Sequence, residues 1–129
     1  MLPKRLRISQ QATETLKLLK ARTGLTPNIV CRISLILSLE NGPAGGLRST
    51  EQVGSEFNSS TLFGEYEVMF DTLILDVHGF LGMKEKTDVI VSHIDDGLAQ
   101  LRKSKNLKEL IEHCGSGQSI VTETEELYA

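Results

Sequence analysis

The N-terminal third of the chain begins with apolar residues that recur at helical spacing. Ala12, Leu16 and Leu19 lie three or four residues apart, which predicts one apolar stripe along a helix. Ser9 precedes this stretch and Gly24 follows it. Because serine is a favoured N-cap and glycine a favoured left-handed C-terminal cap, we predict a first helix between these two residues.

A second stretch follows directly and is apolar on nearly every side. Thr26 and Pro27 are typical of a helix start, since proline at the first helical position sacrifices no hydrogen bond. Asn41 and Gly42 are typical of its end, so the helix should run to about Glu40. Its apolar residues are too many for a single stripe: Ile29, Val30, Ile33, Leu35, Ile36, Leu37 and Leu39. We therefore predict a helix that is central in the fold or buried in an oligomer.

The amount of apolar surface on this second helix predicts self-association of so small a chain. We expect a homo-oligomer of even order. A tetramer is favoured over a dimer because Leu18 adds a second apolar surface, on the far side of the first helix.

The rest of the chain separates into a polar connection, three helical segments and a tail. Residues 41–60 are rich in Gly, Ser, Asn and Pro and predict a flexible loop without a core of its own. Helical spacing then runs from Leu62 to Val77, from Asp88 as a cap to Leu101, and over a short segment from Leu107 to Ile111. Residues 114–129 are acidic and poor in apolar side chains, so we expect a disordered tail.

These elements predict a mainly α protein, a small helical domain of about five helices over residues 1–113. Residues 1–40 form its basic segment and central helix, and residues 61–113 form its helical second half. Within Lys4 to Ile8, Arg5 and Arg7 would share one face of a strand and Leu6 and Ile8 the other, which is compatible with a short N-terminal β-strand. A short basic strand followed by two helices is the order of a ribbon-helix-helix element, in which strands of two chains pair and enter a DNA groove.

Charge is distributed unevenly along the chain, although the net charge is only -3. Residues 1–32 carry seven basic residues and one acidic residue, whereas residues 33–83 carry one basic and seven acidic residues. Such a basic block attracts phosphate. We therefore predict a DNA-binding site in the N-terminal segment, with these candidate residues: Lys4, Arg5, Arg7, Lys17, Lys20 and Arg22. The amides that open the second helix offer a further phosphate site.

Other features of the sequence argue against a membrane, secreted or metal-binding protein. No uninterrupted apolar run reaches the roughly 18 residues of a membrane span, and the N-terminus lacks the apolar core of a signal peptide. Cys31 and Cys114 are far apart, which indicates neither a disulfide framework nor a thiolate site and fits a reducing cytoplasm. The three histidines lack the spacing of a metal motif, so no metal or other cofactor is expected: His78, His93 and His113.

Catalytic chemistry is not indicated either. Asp95 and Asp96 project about 100° apart on a helix, as surface carboxylates commonly do. Cys31 lies in the most apolar helix, where a thiol is a small core residue rather than a nucleophile. The glycines at 42–46 lack the lysine and hydroxyl residue of a phosphate-binding loop. We therefore expect a protein that is not an enzyme.

Several segments resemble the DndE family, the small proteins of the bacterial DNA phosphorothioation system. The most specific is Arg22-Thr-Gly-Leu-Thr-Pro-Asn28, and the similarity also includes Leu2 to Ser9, Leu18 to Lys20, Arg32 and Gly64-Glu-Tyr66. It runs from about residue 2 to residue 112. The resemblance implies work beside a cysteine desulfurase, an iron-sulfur protein and an ATPase that carry the chemistry.

Two functions remain open at this point. The first is a DNA-binding accessory subunit that holds duplex DNA, intact or nicked, by its phosphate backbone. The second is a non-catalytic adaptor whose basic face docks an acidic partner of the same modification complex. Binding to bare duplex distinguishes them.

Overall fold

A computed structural model describes residues 1–115 of the 129-residue chain. Its elements run in the order β1 (Arg5–Arg7), α1 (Gln10–Thr23), α2 (Pro27–Glu40), β2 (Glu56–Asn58), α3 (Ser59–Phe63), α4 (Glu67–His78), α5 (Met83–Leu101) and α6 (Leu107–Cys114). The predicted mainly α fold with a short N-terminal strand is thus confirmed. Most of the tail predicted to be disordered, residues 116–129, lies outside the described residues.

The predicted ends of α1 and α2 are confirmed, although their caps differ in detail. The Ser9 hydroxyl accepts the Ala12 N–H at 2.9 Å, and Gly24 adopts the left-handed conformation at φ 78°. Thr26 lies at the N-cap of α2 but makes no capping hydrogen bond with its side chain, so the cap depends on Pro27 and the backbone.

Helices α2 and α5 form the centre of the core. They approach so closely at Gly97 that a Cβ atom there would lie 2.0 Å from the Ser34 carbonyl oxygen. Leu35 of α2 and Ile90 and Ile94 of α5 are fully buried. The central position predicted for α2 is therefore confirmed, and it requires glycine at position 97 of its neighbour.

The loop predicted over residues 41–60 contains a strand that the sequence analysis missed. Strand β2 pairs with β1 in antiparallel register, with Leu6 opposite Phe57 and Arg7 opposite Glu56. A short 3₁₀ helix, Ala44–Gly46, also packs on α5 within this segment. Because β1 pairs with a strand of its own chain, that edge is not free for the strand of a second chain, as a ribbon-helix-helix dimer would require.

Two helix boundaries in the second half differ from the predicted ones. The segment predicted as one helix from Leu62 to Val77 is divided into α3 and α4, because Gly64 turns the backbone at φ 55°. Helix α5 begins at Met83 with Gly82 as its N-cap, so Asp88 lies inside the helix instead of capping it. The predicted short last helix is confirmed as α6.

A chain of polar side chains lies where α2, α4 and α5 meet, with Ser38 and His93 buried and His78 and Asp96 half-buried. The Ser38 hydroxyl donates to Asp96 at 2.7 Å and lies 2.7 Å from His93 Nδ1. The Nε2 atoms of His93 and His78 are also 2.7 Å apart. Since Ser38 gives its only proton to Asp96, His93 donates from Nδ1 to Ser38 and accepts at Nε2 from His78.

Candidate nucleic-acid interface

Lys17 and Lys20 project from the side of α1 that faces the segment leading into β2. Thr13 marks this side, because its hydroxyl accepts the Ser55 N–H at 2.8 Å. The two lysines follow Thr13 by four and seven residues and therefore lie on the same side of the helix. Both are exposed, and neither forms an ion pair within residues 1–115. They are available to an anionic ligand.

Arg5 and Arg7 border the same segment but share one carboxylate. Arg7 Nη2 lies 2.8 Å and Arg5 Nη1 lies 3.7 Å from the Glu56 carboxylate on the paired strand. Arg7 also donates from Nη1 to the Gly54 carbonyl oxygen at 2.9 Å. Glu56 thus accepts a hydrogen bond from Arg7, lies within ion-pair distance of Arg5, and balances one of their two charges. Lys4, which precedes β1, is exposed.

Arg22 lies on the opposite flank of α1 from the two lysines. It follows Lys20 by two residues, which places it about 160° around the helix. Its Nη1 atom donates to the carbonyl oxygens of Arg102 and Ser104, at 3.2 and 3.3 Å, where α5 ends. The structure therefore brings Arg5 and Arg7 together at Glu56, keeps Lys17 and Lys20 on one side of α1, and places Arg22 on the opposite flank of that helix.

The sequence analysis did not include a second set of exposed basic residues near Arg22. Arg102, Lys103 and Lys105 lie in the turn between α5 and α6, and none forms an ion pair within the described part of the chain. Their proximity in sequence was visible, but positive charge at a helix C-terminus is also favourable for the helix itself. Hydrogen bonds from Arg22 join this turn to α1, and Arg102 also lines a small cavity beside Gln11 and Thr15 of α1.

An apolar groove lies between α2 and α6, on the side of α2 that faces away from α5. Its volume is about 450 Å³, and Ile33, Ile36 and Leu107 are among its lining residues. Ile29 is 40% exposed and Ile111 is 59% exposed. The excess of apolar residues predicted for α2 is therefore only partly covered within one chain.

Cys31 lies in an environment that suppresses thiol reactivity. It is buried in α2, and burial raises the pKa of its thiol to about 12. A thiol with this pKa is protonated at neutral pH and is a poor nucleophile. Among residues 1–115, no three His, Cys, Asp or Glu side chains are grouped so that they could hold a metal ion. In the same range, no helix is both long and apolar enough to cross a membrane.

Comparison with known proteins identifies the family. The family model of DndE, described as DNA sulphur modification protein DndE, matches residues 5–109. The chain belongs to the DndE family. The crystal structure of DndE from Escherichia coli B7A, involved in DNA phosphorothioation modification, is similar with a TM-score of 0.70 and 30% identity, covering 78% of this chain and all of that one.

A second solved structure is that of a DndE mutant in which two glycines are replaced by lysine. It matches with a TM-score of 0.67 and 27% identity, over 77% of this chain and 97% of the other. A search of curated protein sequences finds no match. The DndE fold thus extends over both sets of basic residues described above, and the resemblance found in the sequence is confirmed.

Proposed function

We propose that this DndE-family chain is a DNA-binding accessory subunit of the phosphorothioation machinery and holds duplex DNA by its phosphate backbone. One observation carries the proposal: Lys17 and Lys20 lie on the same side of α1. Both side chains are exposed, and neither forms an ion pair within residues 1–115. Two such cations approach a single backbone together. Phosphate contacts fix the position of a protein on DNA without reading sequence.

Arg5 and Arg7 have a different part in the proposed complex. Because they already share Glu56, phosphate can replace that carboxylate or bind beside it, at a smaller gain in electrostatic energy than at a free lysine. We therefore assign most of the affinity to the two lysines. The arginines adjust the orientation of DNA along β1 and contact its backbone or base edges.

Interrupted duplex should bind more tightly than intact duplex. A nick removes part of the cost of bending, which for intact DNA amounts to a few kcal/mol over a protein-sized site. The sequence contains no tryptophan, and the exposed large aromatic residues in the described part of the chain are Tyr66 and Phe80. Preference would therefore come from the shape of the backbone and not from stacking on bases.

Self-association through the apolar groove between α2 and α6 completes the proposal. A second copy that covers the groove would bury Ile29, Ile33 and Ile36, which a single chain leaves partly open. We expect a homo-oligomer, with a tetramer favoured over a dimer because Leu18 is also only half-buried. Sedimentation equilibrium at micromolar concentration tests this, and a 14.2 kDa monomer would contradict it.

The decisive experiment titrates intact and nicked duplexes of one sequence with the wild type and with the variant Lys17→Glu/Lys20→Glu, at one salt concentration. We expect the variant to lose at least about 100-fold in affinity for both, since four units of charge change at the contact. The matched control is Arg48→Glu/Lys84→Glu, because both residues are exposed, lie outside α1 and are already paired with Asp96 and Asp88. Equal affinity of wild type and Lys17→Glu/Lys20→Glu would contradict the proposal.

The adaptor role is the second candidate, and one contact favours it. Glu56 shows that the β1 arginines accommodate a carboxylate, which an acidic segment of another subunit could imitate. In that case the wild type would not bind bare duplex. The variant Lys17→Glu/Lys20→Glu would then be impaired only in its assembly with the other subunits.

A further inference from the structure

We propose that Arg22 and the turn between α5 and α6 form a second phosphate-binding surface, which contacts a different stretch of the DNA backbone from Lys17 and Lys20. The inference rests on the DNA-binding function proposed above. It assigns a role to basic residues in the C-terminal half of the chain. The surface consists of Arg22, Arg102, Lys103 and Lys105.

The contact of Arg22 with the end of α5 builds this surface from two distant parts of the sequence. Its Nη1 atom bridges the carbonyl oxygens of Arg102 and Ser104. An arginine has five N–H donors, so this contact leaves its Nη2 and Nε hydrogens for a ligand. The guanidinium group is thus held in place at the edge of an exposed basic turn, with part of its donor set unused.

The acidic groups around this surface are too few to neutralise it. Glu109 is the nearest in sequence, and its carboxylate accepts the Lys105 backbone N–H at 3.3 Å. Asp95 lies two helical turns before Arg102 and accepts the Ser9 hydroxyl at 2.6 Å. Asp95 also lines a small cavity together with Arg102, so two carboxylates adjoin the four cations, and the remaining positive excess favours an anion as ligand.

The two basic surfaces are separated by the body of α1. Arg22 lies about 140° around the helix from Lys17 and about 160° from Lys20. Exposed Glu14 projects between them and repels a phosphate that would run across the ridge. Because a helix with its side chains is about 10–12 Å across, the surfaces match two backbone stretches on opposite sides of a groove better than one continuous track.

The experiment compares Lys103→Gln/Lys105→Gln with the control Arg48→Gln/Lys84→Gln, each of which removes two exposed positive charges. Binding to one duplex is measured over a range of salt concentrations, with Lys17→Glu/Lys20→Glu in parallel. We expect the first variant to weaken binding about tenfold at moderate salt and to lower the slope of log K against log salt by about 1 to 2, as the loss of two phosphate contacts requires. The control should change affinity by less than about twofold and leave the slope unchanged.

The outcomes separate this inference from the proposed function. If the lysine pair on α1 is essential and Lys103→Gln/Lys105→Gln behaves like the control, the second surface is refuted while the DNA-binding function stands. If the wild type does not bind duplex, the DNA-binding function fails first. If affinity falls but the salt slope does not, the turn contributes without contacting phosphate, and the inference is equally refuted.

Discussion

Helices α1 and α2 have the same length, 14 residues, and present opposite chemistry to solvent. On α1 the apolar residues other than half-buried Leu18 form one buried stripe, and the remaining surface carries cations without carboxylate partners within residues 1–115. On α2 apolar residues surround the helix, and the side that the core does not cover forms the groove beside α6. The exposed surfaces of the two helices therefore differ in kind: the excess charge of α1 suits an anionic ligand, whereas the excess apolar area of α2 suits another protein surface.

The largest expected effect concerns the open side of α2. Replacing Ile36 with Asp should prevent the proposed self-association, because a carboxylate buried at a protein contact costs about 3 kcal/mol or more, equivalent to at least a 100-fold weaker association. Ile36 is only half-buried in one chain, so the Asp side chain remains hydrated there and the fold should persist. Sedimentation and circular dichroism measure the two properties separately.

Leu47→Asp provides the control for this substitution, since Leu47 is 70% exposed and lies outside the groove. It should leave the assembly unchanged. If Ile36→Asp associates as the wild type does, the groove is an ordinary exposed surface and not a contact between copies.

Much of this contrast could be predicted from the sequence, because it is local. The spacing of Ala12, Leu16 and Leu19 defines the buried stripe of α1, and the Thr26-Pro27 pair defines the start of α2. Such signals depend only on neighbours within a few residues. The basic character of the N-terminal segment was equally visible, and so was the pairing of Lys17 with Lys20 on one side of α1.

The remaining features depend on contacts between residues far apart in the chain. Strand β2 has only three residues, too few for a recognisable pattern, and it exists because β1 supplies its hydrogen bonds. The capture of Arg5 and Arg7 by Glu56 follows from that pairing. The separation of Arg22 from the lysines was visible as an angle on a helix, but its contact with the end of α5 required the tertiary structure.

The second expected effect concerns the buried side of α2. Gly97→Ala should lower the free energy of unfolding by about 3 kcal/mol, because the new methyl group would collide with the backbone at Ser34 and force α2 and α5 apart. Gly82→Ala is the control at the N-cap of the same helix, since a Cβ atom there would have only Glu85 Oε1 nearby, at 3.7 Å, and its expected cost is that of a poorer cap, about 1 kcal/mol or less. Urea unfolding of both variants checks this, and equal stability would show that the contact between α2 and α5 can relax.

The smallest expected effect is a loss of stability in acid. It involves the polar cluster that contacts α2 at Ser38 and includes no residue of α1. Burial, with a smaller contribution from neighbouring His78, lowers the pKa of His93 from 6.5 to about 4, although nearby Asp96 acts in the opposite direction. Burial also lowers the pKa of His78. In the unfolded chain both imidazole rings take up a proton near pH 6.5, whereas in the folded protein they do so only at lower pH. The contribution of the two rings to the free energy of unfolding is therefore complete above pH 6.5 and decreases as the pH falls towards 4.

Protonation of His93 at Nε2 would also break its hydrogen bond with His78, whose Nε2–H would then face another donor. We expect the free energy of unfolding to fall by roughly 2 kcal/mol between pH 7.5 and pH 4.5, measured by urea unfolding at several pH values. His93→Gln should be less stable at neutral pH but should lose less on acidification. The lysine variant Lys17→Glu/Lys20→Glu should retain the full acid sensitivity, since α1 contributes no group to this cluster. An equal loss in His93→Gln and wild type would mean that the acid-sensitive groups lie elsewhere.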